Sequence, residues 1–531
     1  MLRILSIYVS YIIMYQYYLV FLLIFVLSLF LSLIVLRLAN HWQIVDRPDG
    51  FKKLHSKPIP LLGGLAIFLA FFGGLYVVRA VLISGDLEIR HWLGVFVGAF
   101  ILMIGGFLDD KYNLSAKKQF IFPLLAAIAP IIGGVGVEKL SNPFGGIIII
   151  PAILSALIII IWLLGMMYTT KLLDGVDGLV SGLGVIGAII IFLFTSSAHY
   201  LQPDIALAAW VFASACLGFL VLNFNPAKIY LGEGGSLLIG YVLGVLAIIS
   251  GGKIAIALLI MGLPILDVAW TILRRLLRGK NPFRLADRKH LHHRLLDIGL
   301  SPRRTVFVYY IFAALSGLFG LILQSRGKLI ALMILVIIML VIVIFFSWWE
   351  RNHHPRLLFH ICCAPCASFS TQKLLIHKYR VTWYFYNPNL SSKEEYNRRL
   401  QSARQAARTV GVKLVIVPYR HEAWREMVRD RERDAERGPR CQLCYRERLQ
   451  ATYDYANRNH FHYFSTSLLV SPYKDGESIR KICSDLEKDD GPKFMDADFQ
   501  AENGFRESLN WARERGLYLQ RYCGCEFSFR K

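Results

Sequence analysis

Eleven apolar stretches in the first 350 residues constrain most strongly what this chain can fold into. Each is close to the ~20 residues that a helix needs to cross a bilayer. They occupy residues 14–36, 61–83, 92–108, 119–137, 147–168, 179–198, 205–222, 235–250, 254–273, 305–324 and 329–348. The first stretch is too long, and too poor in small residues at its end, for a removable signal peptide. The sequence therefore predicts a polytopic all-α membrane domain with about 11 transmembrane helices.

Charged residues and cysteines divide the chain near residue 351. Residues 1–351 contain 28 Lys and Arg and 15 Asp and Glu, whereas the remaining 180 residues contain 31 and 22. Eight of the nine cysteines lie in this second, charge-rich part. We therefore predict a membrane domain over 1–350 and a soluble domain over 351–531. A secreted disulfide scaffold is excluded as a description of the whole chain.

The positions of Lys and Arg between the apolar stretches predict the orientation of the membrane domain. Loops 37–60 and 109–118 and the segment 274–304 are rich in basic residues, whereas the alternate loops hold few. The basic loops are predicted to be cytoplasmic, which puts the N-terminus outside the inner (plasma) membrane and the soluble domain in the cytosol. Thiols in that reducing compartment serve as metal ligands or redox groups more often than as structural disulfides.

Ionisable motifs follow alternate spans and would all lie on the cytoplasmic face. They are FLDDKYNLS with Asp109 and Asp110, LLDGVDGL with Asp174 and Asp177, NFNPAKIYLGEGGS with Asn223 and Glu233, and HLHHRL with His290, His292, His293 and Arg294. Ionisable groups at a membrane are costly without a partner, and gathered carboxylates with room for a phosphate suit Mg²⁺. Solvated loop charges and an ion-coupled transporter are the alternatives, but transporter sites lie near the bilayer midplane rather than at span ends.

Taken in order, PIPLLGG and these four motifs resemble the polyprenyl-phosphate N-acetylhexosamine-1-phosphate transferases over residues 15–350. The HHRL element is similar to that of the N-acetylglucosamine-1-phosphate branch. The resemblance implies attack of a membrane-held polyprenyl (undecaprenyl) phosphate on a UDP-N-acetylhexosamine, release of UMP, and Mg²⁺ as cofactor. Phosphoryl transfer between two anions needs charge neutralisation and in-line positioning, which Mg²⁺ and a His/Arg cluster supply.

The resemblance also implies a role for each motif. Asp109 and Asp110 would lie at the lipid phosphate and the metal, and Asp174 and Asp177 at the nucleotide and the metal. Further implied contacts are Glu233 on Mg²⁺ with Asn223 nearby, His290, His292, His293 and Arg294 on the diphosphate, and Lys57 on a phosphate.

Two residues depart from the pattern of that family. Members usually have Asp where this chain has Glu233, and Asn where it has Lys171, three residues before Asp174. A glutamate reaches one methylene further and can still bind the ion, whereas Lys171 puts a charged group in place of a neutral one. Which UDP-sugar is used stays open.

Strand-like and helical segments alternate in the soluble domain. LLFHI (357–361) ends directly at CCAPC, VTWYFYNP and KLVIVPY read as strands, and helices are expected at about 368–379 and 393–410. This alternation predicts a Rossmann-like α/β domain with a parallel sheet. Ligands of such sheets bind at the carboxyl ends of the strands. Because Cys362 and Cys363 follow the first strand, a redox or metal site is expected there.

The cysteine motifs offer two kinds of thiol chemistry. CC and RCQLCYRER, with Cys441 and Cys444, offer four thiolates, which suit a structural zinc or a [4Fe-4S] cluster. Adjacent cysteines diverge, which fits four separate irons better than one zinc. In YCGCEFS, Cys523 and Cys525 can form only a tight, reducible disulfide. Cys483 is predicted to be an ordinary buried cysteine.

CCAPC, RCQLCYRER and YCGCEFS, in this order, resemble the epoxyqueuosine reductases of the QueH type over residues 357–531. The resemblance implies reduction of epoxyqueuosine at the tRNA wobble position, a redox-active Cys523/Cys525 pair and an external electron donor. Cys366 stands where some members have Asp, and its role stays open. The resemblance further implies a [4Fe-4S] iron-sulfur cluster, in some members with an additional iron, on Cys362, Cys363, Cys441 and Cys444. A zinc-bound RNA-binding module is the alternative.

Arginines around the CxxC motif agree with a tRNA partner bound through its anticodon region. They are Arg425, Arg429, Arg431, Arg433, Arg437, Arg440, Arg446 and Arg448. RDRERDAER also alternates in sign, as a solvated helix face does, so both interpretations stay open. Trp424, Tyr445 and Tyr522 are candidates for stacking on a base or for the core. A homodimer also stays open. The prediction is a bifunctional fusion of a membrane transferase and a cytosolic reductase.

Overall fold

The computed structural model describes residues 2–46, 58–83, 85, 87–142, 145–197, 200–251, 254–277, 290–376, 379–500, 503–520 and 522–528. Within these residues the chain forms two compact units, which divide between Ile344 and Phe345.

Helices make up nearly all of the first unit. Long runs of Leu, Ile, Val and Phe favour helices in a bilayer because a helix satisfies its backbone N–H and C=O groups internally. The helices are α1 (Leu2–His41), α2 (Gly63–Val77), α3 (Arg79–Ile83), α4 (Ile89–Tyr112), α5 (Ala116–Ile132), α6 (Ala152–Leu173), α7 (Leu179–Thr195), α8 (Pro203–Asn223), α9 (Gly232–Ile249), α10 (Ile254–Ile260), α11 (Gly262–Leu277), α12 (Leu291–Asp297), α13 (Pro302–Ile322) and α14 (Ser325–His353).

The helices confirm a membrane domain but not the number of its spans. Among the residues that the structure describes, seven helices are long and apolar enough to cross a membrane, namely α1, α4, α6, α8, α9, α13 and α14. The pair α10 and α11, bent by 81°, would be an eighth span, and α2 and α7 are shorter apolar helices. Each of the eleven predicted stretches thus contains helix, but fewer than eleven have the full length for a crossing.

Four short strands interrupt the helices. The stretch predicted as a span over 147–168 begins instead with strand β4 (Ile147–Ile149), which pairs antiparallel with β3 (Lys139–Ser141). Pro151 follows as the N-cap of α6. The run of β-branched isoleucines favours a strand, and proline, which lacks an N–H, favours a helix start. β1 (Val45–Asp46) and β2 (Ile59–Pro60) form a second antiparallel pair.

Glycines allow α2, α4 and α9 to approach very closely. Gly64 of α2 lies against Gly235 of α9, and Gly106 of α4 lies against Gly234, so that a Cβ at Gly64 or Gly106 would collide with the opposing backbone. The N–H of Gly64 also donates to the Leu231 carbonyl at 2.8 Å. The glycines of PIPLLGG and GEGGS therefore bring the ends of three helices together.

The second unit contains a five-stranded parallel sheet, which confirms the predicted α/β fold. Its strand order is β7-β6-β5-β8-β9, and all neighbouring strands are parallel. The elements are β5 (Arg356–Ile361), α15 (Ala364–Ile376), β6 (Arg380–Phe385), α16 (Lys393–Val410), β7 (Lys413–Ile416), α17 (His421–Met427), α18 (Pro439–Arg458), β8 (Tyr463–Thr466), α19 (Gly476–Leu486), β9 (Lys493–Phe494) and α20 (Gly504–Arg513). Two 3₁₀ helices occupy Ser467–Val470 and Glu526–Ser528.

The central strand β5 is buried along almost its whole length. Five of its six residues are buried, as is typical of a strand covered by helices on both faces of a parallel sheet. Helix α16 has the predicted bounds, whereas α15 begins at Ala364 rather than near 368. Pro365 explains this earlier start, because a proline in the first turn loses no helical hydrogen bond.

Candidate functional site

In the first unit, Asp110 at the end of α4 contacts the start of α9. Its carboxylate accepts the backbone N–H of Glu233, with N–O distances of 3.1 and 3.2 Å. A carboxylate beside a helix N-terminus is stabilised by free N–H groups and by the helix dipole. The structure therefore brings two of the acidic motifs to one place.

Lys171, three residues before Asp174 of the DGVDG motif, connects that motif to the contact between Asp110 and Glu233. Its ammonium forms an ion pair with the Glu233 carboxylate and donates to Gln119 Oε1 at 3.4 Å. Gln119 Nε2 donates in turn to Asp109 Oδ1 at 2.9 Å. The two departures from the family pattern are thus partners of each other. Sequence reasoning missed both this pairing and Gln119, because neither follows from local spacing.

The two aspartates of DGVDG have different surroundings. Asp174 is the C-cap of α6 and is exposed. Asp177 Oδ2 accepts the side-chain amide of Asn225 at 2.8 Å and the N–H of Ala227 at 3.0 Å. Asp177 therefore shapes the loop after α8, while Asp174 is open to a ligand.

The histidine motif lies against the DGVDG loop. A Cβ at Gly175 would lie 3.0 Å from His292 Nε2, so glycine permits this close approach. His292 is only 1% exposed, yet neither of its ring nitrogens has a hydrogen-bond partner among the described residues. A buried polar group without a partner is costly. The imidazole is therefore suited to a polar ligand from outside the chain.

Asp267 of α11 holds the start of the histidine motif, and sequence reasoning did not single it out. Its Oδ2 lies 2.9 Å from His290 Nδ1, and its Oδ1 accepts the N–H of Leu291 at 3.0 Å. All three residues are buried. A carboxylate inside a predicted span was the available signal, because such groups usually have a functional partner. Arg294 is also buried.

Asn223, predicted to lie near the Glu233 metal site, has other partners in the structure. Buried Asn223 donates to the Ile229 carbonyl at 2.9 Å and accepts the Ser181 hydroxyl at 2.7 Å. Its amide thus holds the loop between α8 and α9 and is not bonded to Glu233. Lys57 lies outside the described residues.

In the second unit, Cys362 lies at the point where the chain changes direction across the sheet. The chain proceeds from β5 to β6 on one side and later to β8 on the other, and ligands of α/β sheets bind at such a crevice. The Cys362 N–H donates to Ser467 Oγ, after β8, at 3.1 Å, and this hydroxyl lies 3.4 Å from Cys362 Sγ. The predicted edge of the sheet therefore carries the CC motif.

The thiols of CCAPC interact with one another. The Cys362 and Cys363 sulfurs are 3.7 Å apart. Hydrogen bonds from Cys363 and Cys366 hold the pKa of Cys362 well below its usual range. The hydrogen bond to Cys362 raises the pKa of Cys363 to about 12. The hydrogen bonds within the motif thus favour the thiolate form of Cys362 beside the neutral thiols of Cys363 and Cys366.

Arg448 of α18 places one buried cation among three cysteine motifs. It donates to Asn387 Oδ1 at 2.6 Å, while its Nε has no hydrogen-bond partner in the described part of the chain. Burial by itself lowers the pKa of Arg448. The surrounding thiols outweigh burial and raise this pKa, namely those of Cys444, Cys362 and Cys523. Sulfurs of the CC, CxxC and CxC motifs therefore all act electrostatically on one buried guanidinium.

The CxxC motif opens helix α18, where the helix N-terminus favours thiolates. Cys441 Sγ accepts the N–H of Arg437 at 3.3 Å. Cys444 packs with Trp424 and Cys525 in a small buried cluster, and burial raises its pKa to about 11. Burial therefore favours the neutral thiol of Cys444, although the positive charge of Arg448 opposes this.

Lys474, which sequence reasoning also missed, supplies positive charge beside the CxC motif. Burial lowers its pKa, but the neighbouring Cys523 thiol more than offsets this, and the net pKa lies above the usual value. Its ammonium also lies 3.7 Å from the Glu436 carboxylate. Lys474 therefore places a positive charge beside the sulfur of Cys523.

The arginines around CxxC fall into two groups. Arg440 and Arg448 are 2% exposed, so neither of the two interpretations left open, contact with RNA or a solvated helix face, describes these two. Arg440 donates to the Glu432 carbonyl at 2.6 Å. Residues 428–438 form turns rather than a helix. Exposed side chains remain at Arg425, Arg429, Arg431 and Arg446. Trp424 and Tyr445 belong to the core.

Both sites offer suitable donor atoms without a preformed metal site. Among the described residues, no three His, Cys, Asp or Glu side chains already form a group that could hold a metal ion. The first unit nevertheless supplies carboxylate oxygens, which suit Mg²⁺. The second supplies thiols, which as thiolates suit an iron-sulfur cluster, together with the buried guanidinium of Arg448, whose Nε has no hydrogen-bond partner among the described residues, to balance negative charge.

The first unit is thus a helical membrane protein with acidic and histidine motifs at helix ends, and the second is an α/β domain with thiols at its sheet edge. Residues 92–251 match the model of glycosyl transferase family 4, and residues 357–531 match that of epoxyqueuosine reductase QueH. The chain belongs to both families, to glycosyl transferase family 4 through its N-terminal part and to the QueH family through its C-terminal part.

Curated relatives agree with this division. A Bacillus subtilis (strain 168) protein, named probable undecaprenyl-phosphate N-acetylglucosaminyl 1-phosphate transferase, is 36% identical over 58% of this chain and 84% of its own length. Decaprenyl-phosphate N-acetylglucosaminephosphotransferase of Mycobacterium tuberculosis (strain ATCC 25618 / H37Rv) is 32% identical over 50% of this chain and 72% of its own length. Epoxyqueuosine reductase QueH of Streptococcus pyogenes serotype M1 is 33% identical over 33% of this chain and 70% of its own length. The comparisons do not favour a transporter or a zinc-bound RNA-binding module.

Proposed function

We propose that residues 1–350 transfer N-acetylglucosamine 1-phosphate from UDP-N-acetylglucosamine to polyprenyl phosphate, with Mg²⁺ as cofactor. The names of the N-terminal relatives support this proposal. The observation that carries it is the convergence of separate motifs. Asp110 and Lys171 both contact Glu233, and the imidazole of His292, which has no hydrogen-bond partner among the described residues, lies beside the DGVDG loop.

In this reaction an oxygen of the lipid phosphate attacks the sugar-linked phosphorus of the nucleotide. A new P–O bond forms, the P–O bond to UMP breaks, and UMP leaves with the bonding electron pair. The carboxylates of Asp109, Asp177 and Glu233 would hold Mg²⁺, which when bound would neutralise negative charge on the phosphates. His292 would donate an N–H to the diphosphate, and Asp267 would hold the histidine motif in place.

We further infer that all eleven predicted stretches cross the membrane, with the N-terminus outside and the second unit in the cytosol. The helix within every stretch supports this count, and the basic loops support the orientation. Cysteine-accessibility labelling of loops 84–91 and 109–118 in intact cells and in opened membranes tests it. Labelling of both loops from the same side would contradict the proposed topology.

Membranes containing the chain test the transferase proposal directly. Incubation with UDP-N-acetylglucosamine, polyprenyl phosphate and Mg²⁺ should release UMP and form a lipid-linked sugar. Chelation of the metal should stop the reaction. No release of UMP from any UDP-N-acetylhexosamine would reject the proposal.

The ion pair between Lys171 and Glu233 leads to a specific prediction about the metal. The Lys171 ammonium competes with a divalent cation for the Glu233 carboxylate. Replacing Lys171 by Asn should therefore lower the Mg²⁺ concentration that gives half-maximal UMP release, by about tenfold if the competition costs about 1.4 kcal/mol. A Mg²⁺ titration of both proteins measures this. A higher requirement in the variant would show that Lys171 assists binding of the metal.

We propose that residues 351–531 reduce epoxyqueuosine in tRNA, using a [4Fe-4S] cluster on Cys362, Cys363, Cys441 and Cys444. The QueH relatives support this proposal. The observation that carries it is buried Arg448, whose partner Asn387 also donates to the Ile361 carbonyl beside Cys362, and whose pKa is raised by the sulfurs of three cysteine motifs. A guanidinium in this position would balance the negative charge of a thiolate-bound cluster.

The reductive step removes the epoxide oxygen as water and leaves a double bond, which consumes two electrons and two protons. An external donor would supply the electrons, and the dithiol of Cys523 and Cys525 would pass them on. Exposed Arg425, Arg429 and Arg431 would contact phosphates near the anticodon of the tRNA.

Anaerobic purification of the full chain tests the reductase proposal. A brown protein that converts epoxyqueuosine to queuosine in tRNA, in the presence of a reductant, is expected. A colourless protein with stoichiometric zinc would reject the cluster. A brown protein that leaves the nucleoside unchanged under several electron donors would reject the substrate.

A further inference from the structure

One buried arginine of α16 holds the C-terminal segment that carries Cys523 and Cys525. Arg399 Nη1 donates to the Cys523 carbonyl at 3.0 Å, and Nη2 donates to the Tyr522 carbonyl at 3.2 Å. The guanidinium carbon also lies 5.6 Å from the centre of the Tyr522 ring. One side chain therefore bonds to two consecutive carbonyls of the CxC segment.

Arg399 is itself fixed from behind. Its Nε donates to Glu395 Oε1 at 2.8 Å, four residues earlier on the helix, and both side chains are almost completely buried. The Tyr518 hydroxyl donates to the other oxygen of Glu395 at 2.9 Å. Charge-assisted hydrogen bonds of this kind are strong and orient their partners. The guanidinium is therefore a rigid support rather than a mobile side chain.

Gly524 completes the attachment. It has a φ of +120°, a region that favours glycine, and a Cβ there would lie 3.2 Å from both terminal nitrogens of Arg399. Its carbonyl accepts the N–H of Ser391 at 2.9 Å. Three consecutive carbonyls, from Tyr522 to Gly524, are therefore bonded to α16 or to the loop before it.

The two thiols differ in this arrangement. Cys523 is partly exposed, whereas Cys525 is 5% exposed and packs with Trp424 and Cys444. Both are free thiols. The backbone held by Arg399 is therefore the backbone of the dithiol form.

We propose that Arg399 is a positioning residue that holds the Cys523–Gly524–Cys525 segment in its dithiol conformation. The inference rests on the redox role proposed above for this pair. A disulfide between residues two apart closes a tight and strained loop, whereas the three carbonyls from Tyr522 to Gly524 are already bonded in the dithiol form. We infer that closing the disulfide disturbs these bonds. The hydrogen bonds from Arg399 therefore stabilise the dithiol relative to the disulfide, which makes the pair a stronger oxidant.

The test measures the thiol–disulfide equilibrium of this pair in the full chain. Formation of the S–S bond releases two protons and transfers two electrons to glutathione disulfide, which becomes two glutathione molecules. The detergent-solubilised protein is equilibrated anaerobically with glutathione at a series of ratios and alkylated. Mass spectrometry of the C-terminal peptide then gives the fraction oxidised.

In Arg399→Gln the equilibrium should move toward the disulfide by about tenfold, which corresponds to a potential about 30 mV more negative. Glu395→Gln/Arg399→Gln removes both charges of the buried pair, so no unpaired carboxylate remains to destabilise the fold. This double variant should shift in the same direction. Arg399→Lys, which retains the charge without the two-pronged geometry, should lie between Arg399→Gln and the wild type.

Arg480→Gln is the matched control, because it removes an exposed ion pair between Arg480 of α19 and Asp496. It should leave the equilibrium unchanged. If the thiol–disulfide equilibrium of both Arg399→Gln and the double variant equals that of the wild type, or moves toward the dithiol, the positioning role of Arg399 is overturned. The redox role of the cysteine pair is then unaffected. Failure of the wild type to form this disulfide at any ratio would overturn the redox role itself, and the inference with it.

Discussion

Replacing Glu233 by Gln is expected to lower the transfer of sugar phosphate by at least about 100-fold, since groups that only support a metal ligand already contribute 10- to 100-fold. The change removes the charge that would bind Mg²⁺ and nearly retains the shape of the side chain. The backbone N–H of residue 233 still donates to Asp110 in the variant, so the start of α9 should fold normally. Initial rates of UMP release from UDP-N-acetylglucosamine in membranes measure the effect.

Two further variants distinguish a role of Glu233 as a metal ligand from a purely structural role of its charge. Glu233→Asp should retain activity, because the carboxylate remains and aspartate is usual in the family. Glu88→Gln removes an exposed carboxylate at the opposite end of α4, where Glu88 pairs with Arg90, and it should transfer at the wild-type rate. Equal activity of Glu233→Gln and the wild type would show that Mg²⁺ does not need Glu233 and is held by the other carboxylates, namely Asp109 and Asp177, with exposed Asp174 as a further candidate.

Much of the fold could be predicted because local patterns decide it. A bilayer leaves helices as the main solution for an apolar stretch, and alternating strands and helices lead to a parallel sheet. The strand over Ile147–Ile149 escaped prediction because an isoleucine run suits a strand as well as a span. β9 has two residues, which is too short to leave a pattern.

The acidic and cysteine motifs were predictable, but the contacts between them were not. Lys171 and Glu233 lie on different helices, and nothing in their spacing indicates that they pair. Arg448 reads as one more arginine of a basic segment, and only the fold shows that it is buried among thiols. Arg399, on a highly charged helix, likewise looks solvated in the sequence.

Replacing Cys441 by Ala should abolish both the brown colour and epoxide reduction, because one iron of the proposed cluster then lacks its thiolate. Within the described part of the chain, Cys441 Sγ accepts one backbone hydrogen bond, from Arg437 at 3.3 Å, so the apoprotein should still fold. The measurements are the visible spectrum, the iron content and queuosine in the tRNA, after anaerobic purification. Cys483→Ala, which changes a buried cysteine of α19, serves as the control and should retain colour and activity.

Replacing Cys523 or Cys525 by Ala should have a different result, namely retained colour with lost or slowed reduction. A cluster ligand is needed before any turnover, whereas a redox pair outside the cluster is needed only when electrons pass through it. Cys523 lies near Arg448 and Lys474, so the dithiol of Cys523 and Cys525 can give up two electrons close to the cluster, and its disulfide can accept two from the donor, without either sulfur binding iron. Loss of colour in Cys523→Ala, with iron content falling as it does in Cys441→Ala, would instead make Cys523 a ligand of the cluster and remove the dithiol from the mechanism.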